Sequence, residues 1–427
     1  MKKSAVVMVA AVCAAFAASA ASIQKVLVRQ QWPWSPKVNI DYVLEDASGS
    51  AHDVKLTLHD GATEIPVEFG SLSGDQFGVL PGERRLVWDP QFGGAKYSSA
   101  VLSGLTATVT IEEDEKLYMI VDLSEGGTAT SYPVTFTGVA PAGGWQGDPV
   151  YGQTKIVLRK IPASTFVMGY TPEEISHYNI KTSNSSDFFQ RRKVTLTKPY
   201  YIGIYPVTIK QQNMMGEGAD PGWHWSWPIN TGVTYDALRG ANASDQANWP
   251  NLLSDSILGR LNAKTAAAVS AVLPGYRFDL PTYAQWQCAC RAGTTTCFNN
   301  GKDWAADGTG LKDSNLDEVA WYACGGTIQA VGQKAPNAFG LYDMHGHVLE
   351  FIRDMMSSTA GRSNGVTNPQ TDPLLRGWLY DRAWGCGGRA NGTVAECLSN
   401  SATLIGTAGS NSNVGSCVGY RLALVAD

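Results

Sequence analysis

Charged residues are scarce in this sequence: lysine, arginine, aspartate and glutamate make up 17% of its 427 residues, and the formal net charge is −5. A chain without a basic run or patch lacks the electrostatic footprint that nucleic-acid binding requires. Beyond the N-terminus, the chain also has no uncharged apolar run of about 20 residues, the length that a membrane-spanning helix needs. We therefore expect neither a nucleic-acid partner nor a membrane span.

The N-terminus has the pattern of a secretory signal peptide. Lys2 and Lys3 form a positive start, residues 5–17 form an apolar run, and residues 18–20 offer a small-x-small cleavage site. We expect residues 1–20 to be removed. The mature protein is then expected in a periplasmic or extracellular space.

Cysteine is absent from residues 21–287 and then occurs seven times, at Cys288, Cys290, Cys297, Cys324, Cys386, Cys397 and Cys417. Export favours disulfides, and an odd count leaves at least one thiol unpaired or paired between molecules. The spacing leaves the connectivity open. Any intramolecular crosslinks would therefore stabilise the C-terminal region and not the first part of the chain.

Two regions of different character follow the signal peptide. Residues 21–138 show apolar and polar residues in alternation, as in residues 38–44, 54–58 and 105–111, with turn residues between these stretches. This pattern predicts an all-β, sandwich-like domain. Residues 139–154 are predicted to be a linker, and residues 155–427 a second domain.

The second region is rich in glycine and aromatic residues and has few helical stretches. The whole chain has 45 Gly, 13 Trp and 17 Tyr. Residues 254–271 and 282–292 have helical apolar spacing; Ser254 or Asp255 is the expected N-cap of the first helix, and Gly293 follows the second. We expect an α+β fold with much irregular structure.

Several blocks of this region resemble one family. Residues 161–169 read IPASTFVMG, residues 278–294 read FDLPTYAQWQCACRAGT, residues 336–346 read PNAFGLYDMHG, and residues 419–422 read GYRL. In this order they are similar to the motifs of the sulfatase-modifying factor, or formylglycine-generating enzyme, family. The resemblance implies a variant of the C-type-lectin-like fold over about residues 155–425.

The resemblance also implies an activity, and the sequence departs from it at the reactive centre. Active members use oxygen and copper to convert a sulfatase cysteine to formylglycine, with two cysteines five residues apart as copper ligands. Residues 386–390 read CGGRA where the family has RGGSW, which puts the first ligand position on Gly392 and the second on Cys397. Cu(I) prefers soft sulfur ligands. Copper is therefore not expected, and Cys397 remains as a lone catalytic candidate.

Cys386 and Cys397 have open alternatives. They are interpreted as a structural disulfide or as separately buried thiols, and a rearranged copper site is the competing hypothesis. The resemblance further implies a structural calcium loop at residues 346–351. Glu350 keeps the family's carboxylate there, but His347 puts a nitrogen where the family has an asparagine oxygen, which the hard Ca²⁺ ion disfavours.

Aromatic and polar residues of the second region could form a ligand surface. The candidate ligand-binding residues are Trp223, Trp225, Trp384 and Asn391. Residues 390–417 contain no charged residue except Glu396, which suits a solvent-facing loop surface. The leading hypothesis is a non-catalytic binding or display scaffold for a protein or glycan. A copper-dependent formylglycine-generating oxidase and a structural module of the cell envelope are the alternatives.

Overall fold

The structure is a computed structural model that describes residues 21–92, 102–141, 143–179, 191–216, 226–229, 232–240, 252–305, 311–355, 370–374, 382–399, 401–407 and 417–426. The expected signal peptide lies outside these ranges. Among the described residues, no helix is long and apolar enough to cross a membrane.

Two antiparallel sheets form the first part of the chain, with strand orders β1-β2-β6-β5 and β4-β3-β7. Their strands are β1 (Ser22–Gln30), β2 (Val38–Glu45), β3 (Asp53–Asp60), β4 (Thr63–Ile65), β5 (Leu72–Gly74), β6 (Gly82–Trp88) and β7 (Leu105–Glu112). The expected alternation is visible in β2, where Ile40, Tyr42 and Leu44 are buried. They pack in one core cluster with Leu56 and Leu58 of β3. The predicted sandwich-like pairing of sheets is thus confirmed in these residues.

A six-stranded antiparallel sheet, in the order β14-β22-β13-β10-β8-β9, lies at the centre of the second part. Its strands are β8 (Tyr118–Asp122), β9 (Val134–Thr137), β10 (Lys155–Ile161), β13 (Tyr200–Gly203), β14 (Tyr276–Asp279) and β22 (Ala423–Ala426). β8 and β9 come from the stretch predicted to belong to the first domain, residues 21–138. They belong instead to the central sheet of the second domain, where β8 pairs with β10 in antiparallel orientation from Tyr118 to Asp122.

The stretch predicted as a linker, residues 139–154, is ordered where it is described. It contains two short 3-10 helices, at Trp145–Gly147 and Pro149–Gly152. The Trp145 ring is buried and packs against Tyr118, with ring centroids 4.9 Å apart. This aromatic contact holds the segment against the central sheet, which glycine and proline content alone does not indicate.

Smaller sheets complete the second part, with strand orders β11-β12-β18, β15-β16 and β20-β19-β17-β21. Their strands are β11 (Ser164–Met168), β12 (Arg192–Leu196), β15 (Ala320–Trp321), β16 (His345–Gly346), β17 (Leu349–Met355), β18 (Gln370–Thr371), β19 (Arg382–Cys386), β20 (Ala402–Thr407) and β21 (Val418–Tyr420). Long connections between short strands give the irregular α+β architecture that the composition predicts.

Six α-helices occur among the described residues: α1 (Pro172–His177), α2 (Ile209–Met214), α3 (Tyr235–Arg239), α4 (Ile257–Val272), α5 (Tyr283–Arg291) and α6 (Ser314–Asp317). The expected helix at 254–271 is α4, but its N-cap is Ser256, not Ser254 or Asp255. The expected helix at 282–292 is α5, which begins at a capping box formed by Thr282 and Gln285. It ends with Ala292 in the left-handed region.

An aromatic contact joins the two parts of the molecule. Phe69 and Phe77 from the first part pack against Phe339 of the second, with ring centroids 6.0 and 4.6 Å from it. Phe339 is fully buried. The phenylalanine of the PNAFGLYD block therefore fixes the position of the first part against the second.

Candidate functional site

The loop that carries the expected copper ligands lies between β19 and β20. Strand β19 pairs with β17, which sets Cys386 opposite Glu350. Gly387 and Gly388 then turn the chain with φ values of 94° and 78°, a region that favours glycine. A 3-10 helix at Val394–Cys397 completes the loop and turns Cys397 inward.

Cys397 is sealed inside the protein. Its side chain has 0% exposure and packs in a cluster with Phe298, Tyr322 and Leu398. A Cβ atom placed on Gly388 would lie only 2.6 Å from the Cys397 sulfur, so glycine there makes room for the thiol. Burial, together with the nearby Glu396, raises the pKa of Cys397 to about 12. The thiol is therefore protonated at neutral pH.

A second thiol side chain at Gly392 would have to displace the Glu396 carboxylate. A Cβ atom at this position would lie 2.8 Å from Oε2 of Glu396 and 3.0 Å from the Arg389 carbonyl oxygen. Among the described residues, no group of three His, Cys, Asp or Glu side chains is arranged to hold a metal ion. A protonated thiol beside a hard carboxylate oxygen does not fit Cu(I), which prefers paired soft sulfurs.

Cys386 is a separately buried thiol. All seven cysteines lie in the described residues, and no disulfide joins any of them. Of the two sequence interpretations for Cys386 and Cys397, the structure therefore has separately buried thiols and not a disulfide. Burial raises the pKa of Cys386 well above its usual range, and the carboxylates of Asp354 and Glu350 add to this. Cys386 therefore packs as a small apolar side chain.

Glu350 forms a buried ion pair with Arg421. Nε and Nη2 of Arg421 donate to the carboxylate at 2.8–3.1 Å, and the indole N–H of Trp286 donates to its Oε2 at 2.7 Å. Arg421 also donates to the Gly203 and Tyr342 carbonyls, both at 2.8 Å. Both carboxylate oxygens are thus engaged with protein donors, so Glu350 is not arranged as a calcium ligand.

His347 is likewise bound within the protein. It is fully buried with φ 64°, and its Nε2 lies 3.0 Å from the carbonyl oxygen and 3.2 Å from the N–H of Gln329. Its Nδ1 is 3.5 Å from Oδ1 of Asp343, longer than a good hydrogen bond. His347 thus shapes a loop, and the expected pair of His347 and Glu350 does not form a set of oxygen ligands for calcium.

The four candidate ligand-binding residues are not brought together in the described residues. Trp223 and Trp225 lie outside them. Trp384 is half-buried in β19 and packs against the core cluster that contains Trp286 and Cys386. Asn391 is exposed in the turn before Gly392, close to Gly326. Of the two described candidates, Asn391 is the more accessible to a ligand.

Two features were missed by sequence reasoning. The GYRL block was read as a family motif, but its arginine, Arg421, is the buried partner of Glu350. His345 is also buried; its Nδ1 donates to the Cys397 carbonyl at 2.5 Å, and its Nε2 accepts from the Asn299 N–H at 3.0 Å. A lone arginine among apolar residues could have indicated a buried ion pair, but nothing in the spacing links His345 to residue 397.

One protein of known name is similar to part of this chain. Over 200 residues, the chain is 29% identical to the protein named chaperone protein LppX of Paenibacillus barcinonensis, which covers 40% of this chain and 66% of that protein. The aligned part is slightly less than two thirds of the relative's length.

Two solved structures are similar to this chain at lower sequence identity. Treponema denticola variable protein 1 is 21% identical with a TM-score of 0.43, covering 63% of this chain and 95% of that one. PvdO from Pseudomonas aeruginosa is 20% identical with a TM-score of 0.41, covering 63% and 94%. The model of the sulfatase-modifying factor enzyme 1-like domain matches residues 153–422, which is more than half of the chain. The chain therefore belongs to the sulfatase-modifying factor, or FGE-sulfatase, family.

Proposed function

We propose that this chain is an exported, non-catalytic member of its family that acts as a binding or display scaffold. The observation that carries the proposal is that the two expected copper-ligand positions do not offer a pair of thiolates. Cys397 is a fully buried thiol, and Gly392 stands where a second thiolate would be needed. The Glu396 carboxylate lies close to Gly392, so a larger side chain there would have to displace it.

The chemistry of the family argues in the same direction. A Cu(I) ion requires deprotonated sulfur ligands, and metal affinity falls as the ligands hold their protons. With the pKa of Cys397 raised to about 12, its thiolate is rare at neutral pH. A bound Cu(I) ion would have to meet that cost with a single sulfur ligand.

A protein partner is the more favoured ligand class. The relative from Paenibacillus carries the name of a chaperone, a role that consists of binding other proteins. Residues 390–417 contain Asn, Gly, Ser and Thr in abundance and one charged residue, Glu396. Among the residues of this stretch whose burial is described, Asn391 alone is exposed and most others are buried, so the expected solvent-facing surface is wrong for most of them. The proposed contact is therefore the turn at Asn391, whose amide can bind through adaptable hydrogen bonds. A glycan would use the same donors and acceptors and remains the second ligand class.

The catalytic alternative is tested with a Cys-x-Pro-x-Arg peptide, copper and oxygen. We expect the peptide mass to stay unchanged after incubation with the purified chain, and an active family member serves as the positive control. Cys397→Ser is the matched variant because it removes the remaining family thiol. A mass change produced by the natural chain and lost in Cys397→Ser would overturn the non-catalytic proposal.

The scaffold and envelope-module hypotheses differ in which surface holds the partner. Partners are captured from the native envelope fraction with the full chain and with a recoded variant, Asn391→Arg, which changes the exposed side chain of this stretch and leaves the buried ones intact. We expect the recoded variant to lose the partner. Retention there, together with loss after charge reversal at the exposed Lys25 and Arg29 of β1, would favour an envelope module assembled through the sandwich.

A further inference from the structure

Two loops meet beside the exposed Asn391. The N–H of Ala323 donates to the Gly392 carbonyl at 3.1 Å, and the N–H of Cys324 donates to the Ala390 carbonyl at 2.9 Å. Residues 323–327 are thereby held against residues 390–392. The chain then reaches β21 from a third direction, with Cys417 immediately before the strand.

Two thiols face the same short loop from different sides. The Cys324 thiol donates to the Ala390 carbonyl at 3.0 Å and to the Thr327 carbonyl at 3.4 Å. The Cys417 thiol donates to the carbonyl of Gly326, one residue earlier, at 3.9 Å. Both cysteines belong to one small cluster, with Cys417 and Ala390 in its buried part and Cys324 packed against it.

We propose that Cys324 and Cys417 are a redox-sensitive pair that closes reversibly into a disulfide. The crosslink would tie the loop at 323–327 to the start of β21, 93 residues further along the chain (417 − 324). It is a modification site separate from the proposed binding role, and it stands whether or not that role is correct. The structure has the pair as thiols.

Accessibility selects Cys324 as the residue that reacts first. It is half-buried, whereas the other six cysteines are buried. A small oxidant can therefore reach its sulfur without unfolding the core. Thiol–disulfide exchange requires this access to the attacking sulfur as well as some thiolate.

Glycine gives the loop room to bring the sulfurs together. Gly325 and Gly326 have φ values of 66° and 85°, and no atom lies within 4 Å of a Cβ placed on Gly325. A Cβ placed on Gly326 would lie 3.8 Å from the Cys417 sulfur, so only the bare glycine separates that sulfur from the loop backbone. The segment between the two thiols can thus adjust to the geometry that a disulfide requires.

Cys397 is the nearest competitor, and its surroundings disfavour it. Its sulfur lies in a different cluster, with Phe298, Tyr322 and Leu398. Its side chain is fully buried among these residues. Crosslinking Cys397 would require breaking these contacts, whereas Cys417 shares its cluster with Cys324.

The oxidant is a low-molecular-weight disulfide, and the exchange balances in two steps. The Cys324 thiol loses its proton to solvent and attacks one sulfur of the oxidant; the other sulfur leaves as a thiolate and takes up a proton. The Cys417 thiol then loses its proton and attacks the Cys324 sulfur in this mixed disulfide, which releases the second small thiol. Two protein thiols are oxidised and one small disulfide is reduced to two thiols.

Peptide mapping after treatment of the folded full chain with oxidised glutathione tests the pair. Trypsin places Cys324 in residues 313–334 but leaves Cys397 and Cys417 together in residues 390–421. The experiment therefore compares the natural chain with Cys397→Ser and Cys417→Ser. We expect a crosslink between 313–334 and 390–421 in the natural chain and in Cys397→Ser, reversed by dithiothreitol, and none in Cys417→Ser.

Two outcomes would overturn the proposal. One is a crosslink that survives in Cys417→Ser and disappears in Cys397→Ser, which would make Cys397 the partner. The other is glutathione attached to Cys324 in all three proteins with no crosslink, which would show that the sulfurs do not meet. Near-ultraviolet circular dichroism of each variant before oxidation establishes that the comparison is between folded proteins.

Discussion

Arg159 of β10 donates a hydrogen bond to Asp53 of β3, and so connects the central sheet of the second part to the sandwich of the first. The side chains of both residues are almost fully buried, at 2% and 9% exposure. Arg159 also donates to the Tyr118 hydroxyl at 2.8 Å, and the other oxygen of Asp53 accepts from the Gly78 N–H at 2.9 Å. Burial lowers the pKa of Arg159, but Asp53 and Tyr118 more than offset this, so its pKa is raised.

Removing the acid alone should destabilise the protein strongly. Asp53→Ala leaves the Arg159 guanidinium buried without a counter-charge, and breaking a buried pair in this way costs about 3–5 kcal/mol. Urea unfolding followed by tryptophan fluorescence measures the loss, with the exposed Glu64→Ala as a control that should change little. The double variant Asp53→Ala with Arg159→Met should recover part of the stability. Equal stability of Asp53→Ala and Glu64→Ala would contradict the structural role of the pair.

Local sequence patterns were sufficient for individual elements of the fold. Alternation predicted β2 and β3, and helical spacing with Thr282 and Gly293 at its ends predicted α5 within one residue at each end. The same patterns could not assign β8 and β9 to a sheet, because pairing with β10 depends on contacts distant in sequence. Residues 21–138 therefore do not pair only among themselves, as the predicted boundary implied.

The sequence identified the positions of the candidate site but not the contacts that their side chains make. Motif spacing alone identified Gly392 and Cys397 as the positions to examine. It could not show that Glu350 is engaged by Arg421, since 71 residues separate the two. Nor could it show the burial that raises the pKa of Cys397. Long-range ion pairs and burial are properties of the fold and have no local signature.

Calcium removal should leave the stability of the protein unchanged. Both Glu350 oxygens accept hydrogen bonds from Arg421 or Trp286, and His347 offers nitrogen where Ca²⁺ prefers oxygen. Thermal unfolding with excess calcium and with EGTA should give the same Tm. Glu350→Gln should lower the stability by about 3–5 kcal/mol in both conditions, because it leaves Arg421 unpaired. A Tm that rises with calcium in the natural chain, but not in Glu350→Gln, would restore Glu350 as a calcium ligand.

Gly346 and Gly325 have nearly equal φ angles but different surroundings. Replacing each by alanine therefore distinguishes the cost of backbone strain from the cost of a steric clash. Gly346 has φ 68° and Gly325 has φ 66°. A Cβ atom at Gly346 would lie 2.2 Å from the Trp321 carbonyl oxygen, whereas a Cβ at Gly325 meets nothing within 4 Å. Gly325→Ala should therefore cost only the left-handed strain, about 1–2 kcal/mol.

Gly346→Ala should cost clearly more than this, because the backbone of β16 must also move away from β15. Urea unfolding of the two variants side by side gives the difference directly, since the strain contribution is shared. Equal losses for Gly346→Ala and Gly325→Ala would mean that the contact between β15 and β16 yields easily. The close approach at Gly346 would then have no structural importance.

A buried histidine should make the protein lose stability in mild acid. Burial lowers the pKa of His345 from 6.5 to about 4, and the nearby charge of Arg291 lowers it as well, whereas the hydrogen bond from the ring to the Cys397 carbonyl acts in the opposite direction. Between these two pH values the unfolded chain binds a proton that the folded chain does not. Stability that is present above pH 6.5 is therefore lost as the pH falls towards 4.

Each pH unit in this window is worth about 1.4 kcal/mol, so the histidine accounts for about 2 kcal/mol between neutral pH and about pH 5. The measurement is the free energy of unfolding in urea at both pH values, for the natural chain, His345→Gln and His177→Gln. His177 is exposed and its variant is the surface control, whereas His345→Gln should reduce the pH-dependence by that amount. The same pH-dependence in His345→Gln as in the natural chain would show that the acid sensitivity has another source, such as the buried carboxylates, which take up protons on acidification.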